Sequence, residues 1–221
     1  MTENLTEALS LVGDSSEAVN LYLLLFIIAL VPSFLVLTSS FTRTIIVLSF
    51  TRNALGTQQS PPNQVLLGLA LFLSLFVMRP VYQEVNDEAL QPMLSGEITR
   101  EESFARAEEP IKGFMLEQTR TTDLELFVDL SGDSFPDEPE DLSLFTVIPA
   151  FAISELRTAF TIGFLIFVPF LVIDIVVASI LMSMGMFMLS PVMISLPFKL
   201  LLFVMVDGWY LVVESLVGSF Y

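Results

Sequence analysis

The residues most able to do chemistry are the ionisable ones set inside apolar sequence: Arg43, Glu155, Arg157, Asp174, Lys199, Asp207 and Glu214. The chain has no Cys and no His. Disulfides, thiol nucleophiles, imidazole bases and most zinc, haem and iron–sulfur ligation are thereby removed. Carboxylates alone can form an acid–base pair, but none of these acids has a nucleophile or a metal-ligand spacing beside it. Phosphate-binding glycine loops and dinucleotide signatures are also missing from the sequence. No catalytic residue, cofactor or metal is expected, and the chain does not read as an enzyme.

A charge near the centre of a membrane costs on the order of 2.5–3.5 kcal/mol, so it normally faces protein or water. Asp174, in LVIDIVVAS, is read first as an interhelical hydrogen bond that fixes register and second as part of an ion path. Lys199 and Asp207 are eight positions apart, roughly on one helix face, and are expected to turn together toward a protein interior. Glu155 and Arg157 are two apart and cannot face each other on one helix, which leaves contacts to neighbouring subunits or a solvated helix end. Arg43 is expected to snorkel or to pair with an acid of another chain.

A second cluster is apolar. LMSMGMFMLSP places Met182, Met184, Met186 and Met188 at alternate positions around Gly185, with Phe187 between the last two. Methionine is unbranched and flexible, so a ring of such side chains closes against changing shapes. The alternation predicts an extended loop rather than one face of a helix.

Four apolar runs must position these residues, in a chain that is 54% hydrophobic. They cover residues 21–50, 65–78, 148–189 and 192–221. A crossing needs about 20 residues, so the class is an all-α integral membrane protein built from helical hairpins. The second run is short for a lipid-facing span, and the other three carry prolines and charges. Such helices make sense when packed against other protein. The organisation expected is an acidic tail over residues 1–20, a hydrophobic helical region over 21–82, an acidic extracytoplasmic helical region over 83–142, and a second hydrophobic region over 143–221. The acidic flank ahead of a long apolar run reads as a retained segment rather than a secretory signal. Arg43 and Arg52 mark the cytoplasmic side, which places the methionine turn there too.

The formal charge of −16 is concentrated in residues 80–142, where 17 Asp and Glu face four Lys and Arg. Nucleic acid and anionic membrane surfaces are repelled by such a segment. Thr99 and Glu102 have capping-box spacing, and Pro110 is expected to break or restart the helix that follows. Ile111, Phe114, Met115, Gln118, Leu124, Phe127 and Val128 suggest an amphipathic helix pair, with a second capping box at Thr122 and Glu125. SGDSFPDEPED reads as an exposed link.

Three long stretches then carry a resemblance. SFTRTIIVLSFTRNALGTQQSPPNQVLLGLALFLSLF (residues 40–76), SELRTAFTIGFLIFVPFLVIDIVVASILMSMGMFM (154–188) and LPFKLLLFVMVDGWYLVVESL (196–216) resemble the FliP family of flagellar export-gate subunits. The family has relatives in virulence-associated type III secretion. The resemblance covers the chain from about residue 20 and includes FMLEQTR. It implies a pore-forming subunit of a helical, closed gate in the bacterial inner membrane, lying largely on the periplasmic side. About five copies are implied, with FliQ, FliR, FlhB and FlhA as partners and unfolded flagellar proteins as cargo. The family's gating loop falls on Met182, Met184, Gly185, Met186, Phe187 and Met188, with Phe187 where relatives often carry methionine. Its intersubunit charge contacts fall on Arg43, Glu155, Arg157, Asp174, Lys199 and Asp207. A small ion-coupled carrier using Asp174 and Asp207, and a non-conducting membrane scaffold, are the alternatives.

Overall fold

A computed structural model describes residues 21–22, 25–26, 29–30, 33–57, 59–132, 135–136 and 138–221. The expected tail over residues 1–20 lies outside the described residues, as does Pro32, a proline of the first apolar run that would be expected to kink it. Residues 1–37 cluster as one unit and residues 38–221 as another. In the first, the described positions are helical and mostly exposed. The second holds α1 (Phe41–Leu55), α2 (Asn63–Val77), α3 (Arg79–Val85), a π-helical turn (Asn86–Leu90), α4 (Gln91–Ser95), α5 (Arg100–Gln118), α6 (Thr121–Ser131), a 3-10 turn (Pro139–Asp141), α7 (Leu144–Ser183), α8 (Pro191–Met205) and α9 (Gly208–Gly218). Every regular element among the described residues is helical.

The axis of the fold is α7, 40 residues in one helix. At about 60 Å it is roughly twice the thickness of a hydrocarbon core, longer than one crossing requires. Pro149 and Pro169 lie inside it without ending it. Two cores form along its length. Near its start, Val147, Ala150 and Phe151 pack with Met115 of α5 and with Leu124 and Val128 of α6. This is the amphipathic pair expected from residues 111–128, and Ile111, Phe114 and Phe127 lie against it half-buried. Further along, Ala159 and Phe170 join Val47, Leu48, Ala54 and Leu55 of α1, Leu66 and Ala70 of α2, and Phe203, Val212 and Leu216 of α8 and α9.

The helices α1 and α7 run side by side in the same direction, with Arg43 opposite Glu155 and Phe50 opposite Phe160 and Gly163. Gly163 permits this approach: a Cβ there would stand 2.6 Å from the ring of Phe50. The short second run continues past Val77 into α3–α4 through a bend of 55°. The fourth run bends by 65° between α8 and α9. Among the described residues, one helix, α7, is long and apolar enough to cross a membrane, or up to three spans if each bent pair counts as one.

Three local expectations are corrected. Pro110 neither breaks nor restarts its helix; α5 runs unbroken from Arg100 to Gln118 with Pro110 buried inside it. Thr99 does cap α5, its hydroxyl accepting from the Glu102 N–H at 3.2 Å, and the Glu102 carboxylate turns outward to Arg106 at 2.7 Å. The second capping box does not form. Arg120, not Thr122, stands at the N-cap of α6, so Thr122 and Glu125 both fall inside the helix.

Candidate functional site

The methionine segment is a tight turn, not the extended loop that alternation predicts. Met182 remains in the last turn of α7, and Gly185 adopts φ 76° just beyond it. The Gly185 N–H donates to the Met182 carbonyl at 3.0 Å and the Met186 N–H to the Leu181 carbonyl at 2.9 Å. This pair of bonds is a Schellman cap, in which a left-handed residue, usually Gly, lets the helix end satisfy its last carbonyls. Local helix geometry therefore overrides the period-two pattern. Pro191 then starts α8 at a position where a missing N–H costs nothing. Met182, Met184, Met186, Phe187, Met188 and Leu189 are all exposed. Phe187 is 77% exposed, so the stiffest side chain of the tip is also among its freest.

Behind the turn, Asp174 of α7 accepts from Lys199 Nζ of α8 at 2.6 Å and from the Ser195 hydroxyl at 2.5 Å. The Lys199 ammonium also donates to the Ala54 carbonyl at 3.2 Å. That carbonyl belongs to the last turn of α1, where orphan acceptors and the helix dipole both favour a cation. One lysine thus fastens both arms of the methionine hairpin to the end of α1. The register-fixing hydrogen bond expected of Asp174 is found, with Ser195 and Lys199 as its partners.

The second charge site is higher on α7. Arg43 donates through Nε to Glu155 Oε2 at 3.0 Å and through Nη2 to Glu155 Oε1 and to Gln118 Oε1 at 3.0 Å. Its Nη1 donates to the Ser219 carbonyl at 2.9 Å and the Ser219 hydroxyl at 3.0 Å. These bonds use all five N–H groups of a guanidinium, and the Phe220 ring lies 3.8 Å from its carbon. The residue before Glu155 makes a separate link: the Ser154 hydroxyl donates to Asp123 and accepts from the Arg120 N–H at 3.1 Å. Arg120 holds the same aspartate from its other side at 2.7 Å. Adjacent residues of α7 thereby grip α1 and α6 at once.

Four of the six charges expected to reach neighbouring subunits, Arg43, Glu155, Asp174 and Lys199, have partners within the chain. Burial explains this, since an unpaired charge at these positions would carry its full desolvation cost. Arg157 is exposed on α7. Asp207 does not share a face with Lys199, because α8 ends at Met205 and Asp207 occupies a left-handed corner at φ 51°. The corner is closed by Gly208, where a Cβ would meet the Phe203 ring at 2.3 Å. Arg120, Asp123, Ser154 and Ser219 were not singled out from sequence, and Gln118 only as a position of the amphipathic pattern; the run FMLEQTR, ending a helix with polar side chains, is the trace that Gln118 and Arg120 leave.

Fold and site together define an all-α membrane protein whose buried Arg43, Glu155 and Lys199 are paired within the chain and whose apolar exterior calls for lipid or protein cover. A family model described as the FliP family matches residues 24–216. The chain belongs to that family. It is 58% identical over 205 residues to the flagellar biosynthetic protein FliP of Bacillus subtilis (strain 168), covering 93% of each chain. Against the same-named protein of Aquifex aeolicus (strain VF5) it is 51% identical over 94% of its length and 88% of the relative's. For Pectobacterium carotovorum subsp. carotovorum the values are 53%, 92% and 79%.

Proposed function

We propose that the chain is a pore-forming subunit of the flagellar type III protein export gate, passing unfolded flagellar proteins across the bacterial inner membrane. Several copies, about five, set their methionine turns around one passage, with FliQ, FliR, FlhB and FlhA as partner chains and the assembly lying largely on the periplasmic side. The reading is supported above all by the tip itself. Met184, Met186, Phe187 and Met188 project from a capped helix end, exposed, with the lysine clamp holding the turn from behind. A dry ring of deformable apolar side chains blocks ions by excluding water and yields to a polypeptide pushed through it. Cargo sequence has little influence on such a seal. The carrier alternative loses support, because Lys199 already neutralises Asp174, and Asp207 lies on a separate corner.

Replacing Met186, Phe187 and Met188 together by Ala should raise ion conductance of the assembled complex in planar bilayers and leave its subunit composition unchanged. Unchanged conductance would remove the seal from this tip. Tolerance of Ser at the same three positions, with tight bilayers and normal motility, would favour the scaffold alternative.

A further inference from the structure

A groove of 710 Å³ runs between α2 and α9, lined by Leu69, Leu73, Phe76, Trp209, Val213 and Val217. Its one carboxylate is Glu214, exposed at the rim, whose only hydrogen bond among the described residues comes from the Tyr210 hydroxyl at 3.4 Å. No basic side chain lines the groove. A carboxylate left on such a surface is costly at membrane depth. The occupant that complements the groove brings a cation set on an apolar strip, whereas a lipid tail alone would cover the carbon and leave the charge unpaired.

The chain carries such a strip itself. On α7, Arg157 is exposed and forms no ion pair with another described residue, and Phe160, Phe164, Val168, Leu171 and Ile175 follow it, all exposed, at helical spacing of three and four. The levels of the two charges also agree. Arg43 binds both Glu155 and Ser219, which fixes a common height on α7 and at the end of α9. From that height Arg157 lies two residues along α7, about 3 Å, and Glu214 five residues back along α9, about 7 Å. Both displacements point toward the end of α1 that bears Ala54 and Leu55, where Lys199 and the α8–α9 corner are also found.

We propose that the exposed stripe of α7 in one copy packs into the α2–α9 groove of the next, pairing Arg157 with the neighbouring copy's Glu214. This rests on the reading of the chain as a multi-copy gate subunit and names the surfaces that join its copies. Groove and stripe are different surfaces, so the contact is heterologous and propagates into a ring or a helix instead of stopping at a dimer.

The natural absence of Cys makes the test clean. Two differently tagged full-length chains, one R157C and one E214C, are co-expressed with the remaining export components and treated in native membranes with a short bis-maleimide. Adducts containing both tags are expected, several-fold above those from either variant alone. Their absence, with both thiols shown intact by labelling after denaturation, overturns the proposal, and so does linkage of R157C only to itself. As a second measure, R157E and E214R should each lower recovery of the multi-copy complex several-fold and recover together; failure of the pair to recover while the chain remains folded counts against the contact. Loss of the adduct with motility intact would leave the export reading standing.

Discussion

The two buried ion pairs differ in how they are enclosed. Arg43 and Glu155 are sealed among α1, α5, α7 and the segment after α9, with every guanidinium N–H satisfied and an aromatic ring over its face. Lys199 and Asp174 join the methionine hairpin to the end of α1, and the Asp174 side chain remains 21% exposed. The difference follows the surroundings of α7. Its first part is embedded in protein, whereas only 17% of its most apolar stretch is buried within the chain. A fully enclosed pair is destabilising to break, because the surviving charge has no other outlet. A partly open pair can be relieved by water or by a neighbour, so it is better suited to aiming an element than to holding the fold.

The largest effect should come from Arg43→Leu, about 3–5 kcal/mol, seen as loss of folded chain from membranes and as rapid proteolysis. An intact, protease-resistant variant would show that the enclosed pair does not hold the fold. Lys199→Met leaves Asp174 partly hydrated and should cost less, about 2–3 kcal/mol. Adding Asp174→Asn should return part of that loss, which equal stability of single and double variants would contradict. The lone Trp209 packs edge-on against Phe203 at 5.3 Å, so its fluorescence reports melting of the neighbouring corner. Gly185→Ala meets open space but a positive φ and should cost about 1–2 kcal/mol, with ion leakage altered and the Arg43 site untouched by proteolysis. Thr99→Ala removes one N-cap bond in the acidic region and should cost about 1 kcal/mol or less, with no effect on leakage.

Periodic features were legible in the sequence because they are local. The apolar run of residues 148–189 became α7, the pattern of residues 111–128 became a core, and Thr99 capped its helix. Pro110 misled because it is buried against the rest of the protein, and packing there tolerates a residue that would end an isolated helix. The methionine alternation misled because Gly185 and its two cap bonds decide the backbone, not the repeat. Arg43 and Glu155 are 112 positions apart, a distance over which no spacing rule operates. Each was marked as a charge needing a partner, and only the fold supplied the other. The Ser154 link to α6 was hidden for a further reason: serine beside a glutamate is unremarkable until Asp123 is placed against it.

Asp174 precedes Lys199 by 25 residues. On a ribosome feeding the membrane, α7 therefore emerges with an acid whose counter-ion has not yet been made. Holding it alone in lipid would cost on the order of 2.5–3.5 kcal/mol, whereas a hairpin entering as a unit brings both charges together. Translation is thus expected to deliver α7 and α8 in a single insertion event, so in a nascent chain halted before Lys199 the α7 segment should stay open to aqueous labelling, whereas in one halted well after it that segment should be protected.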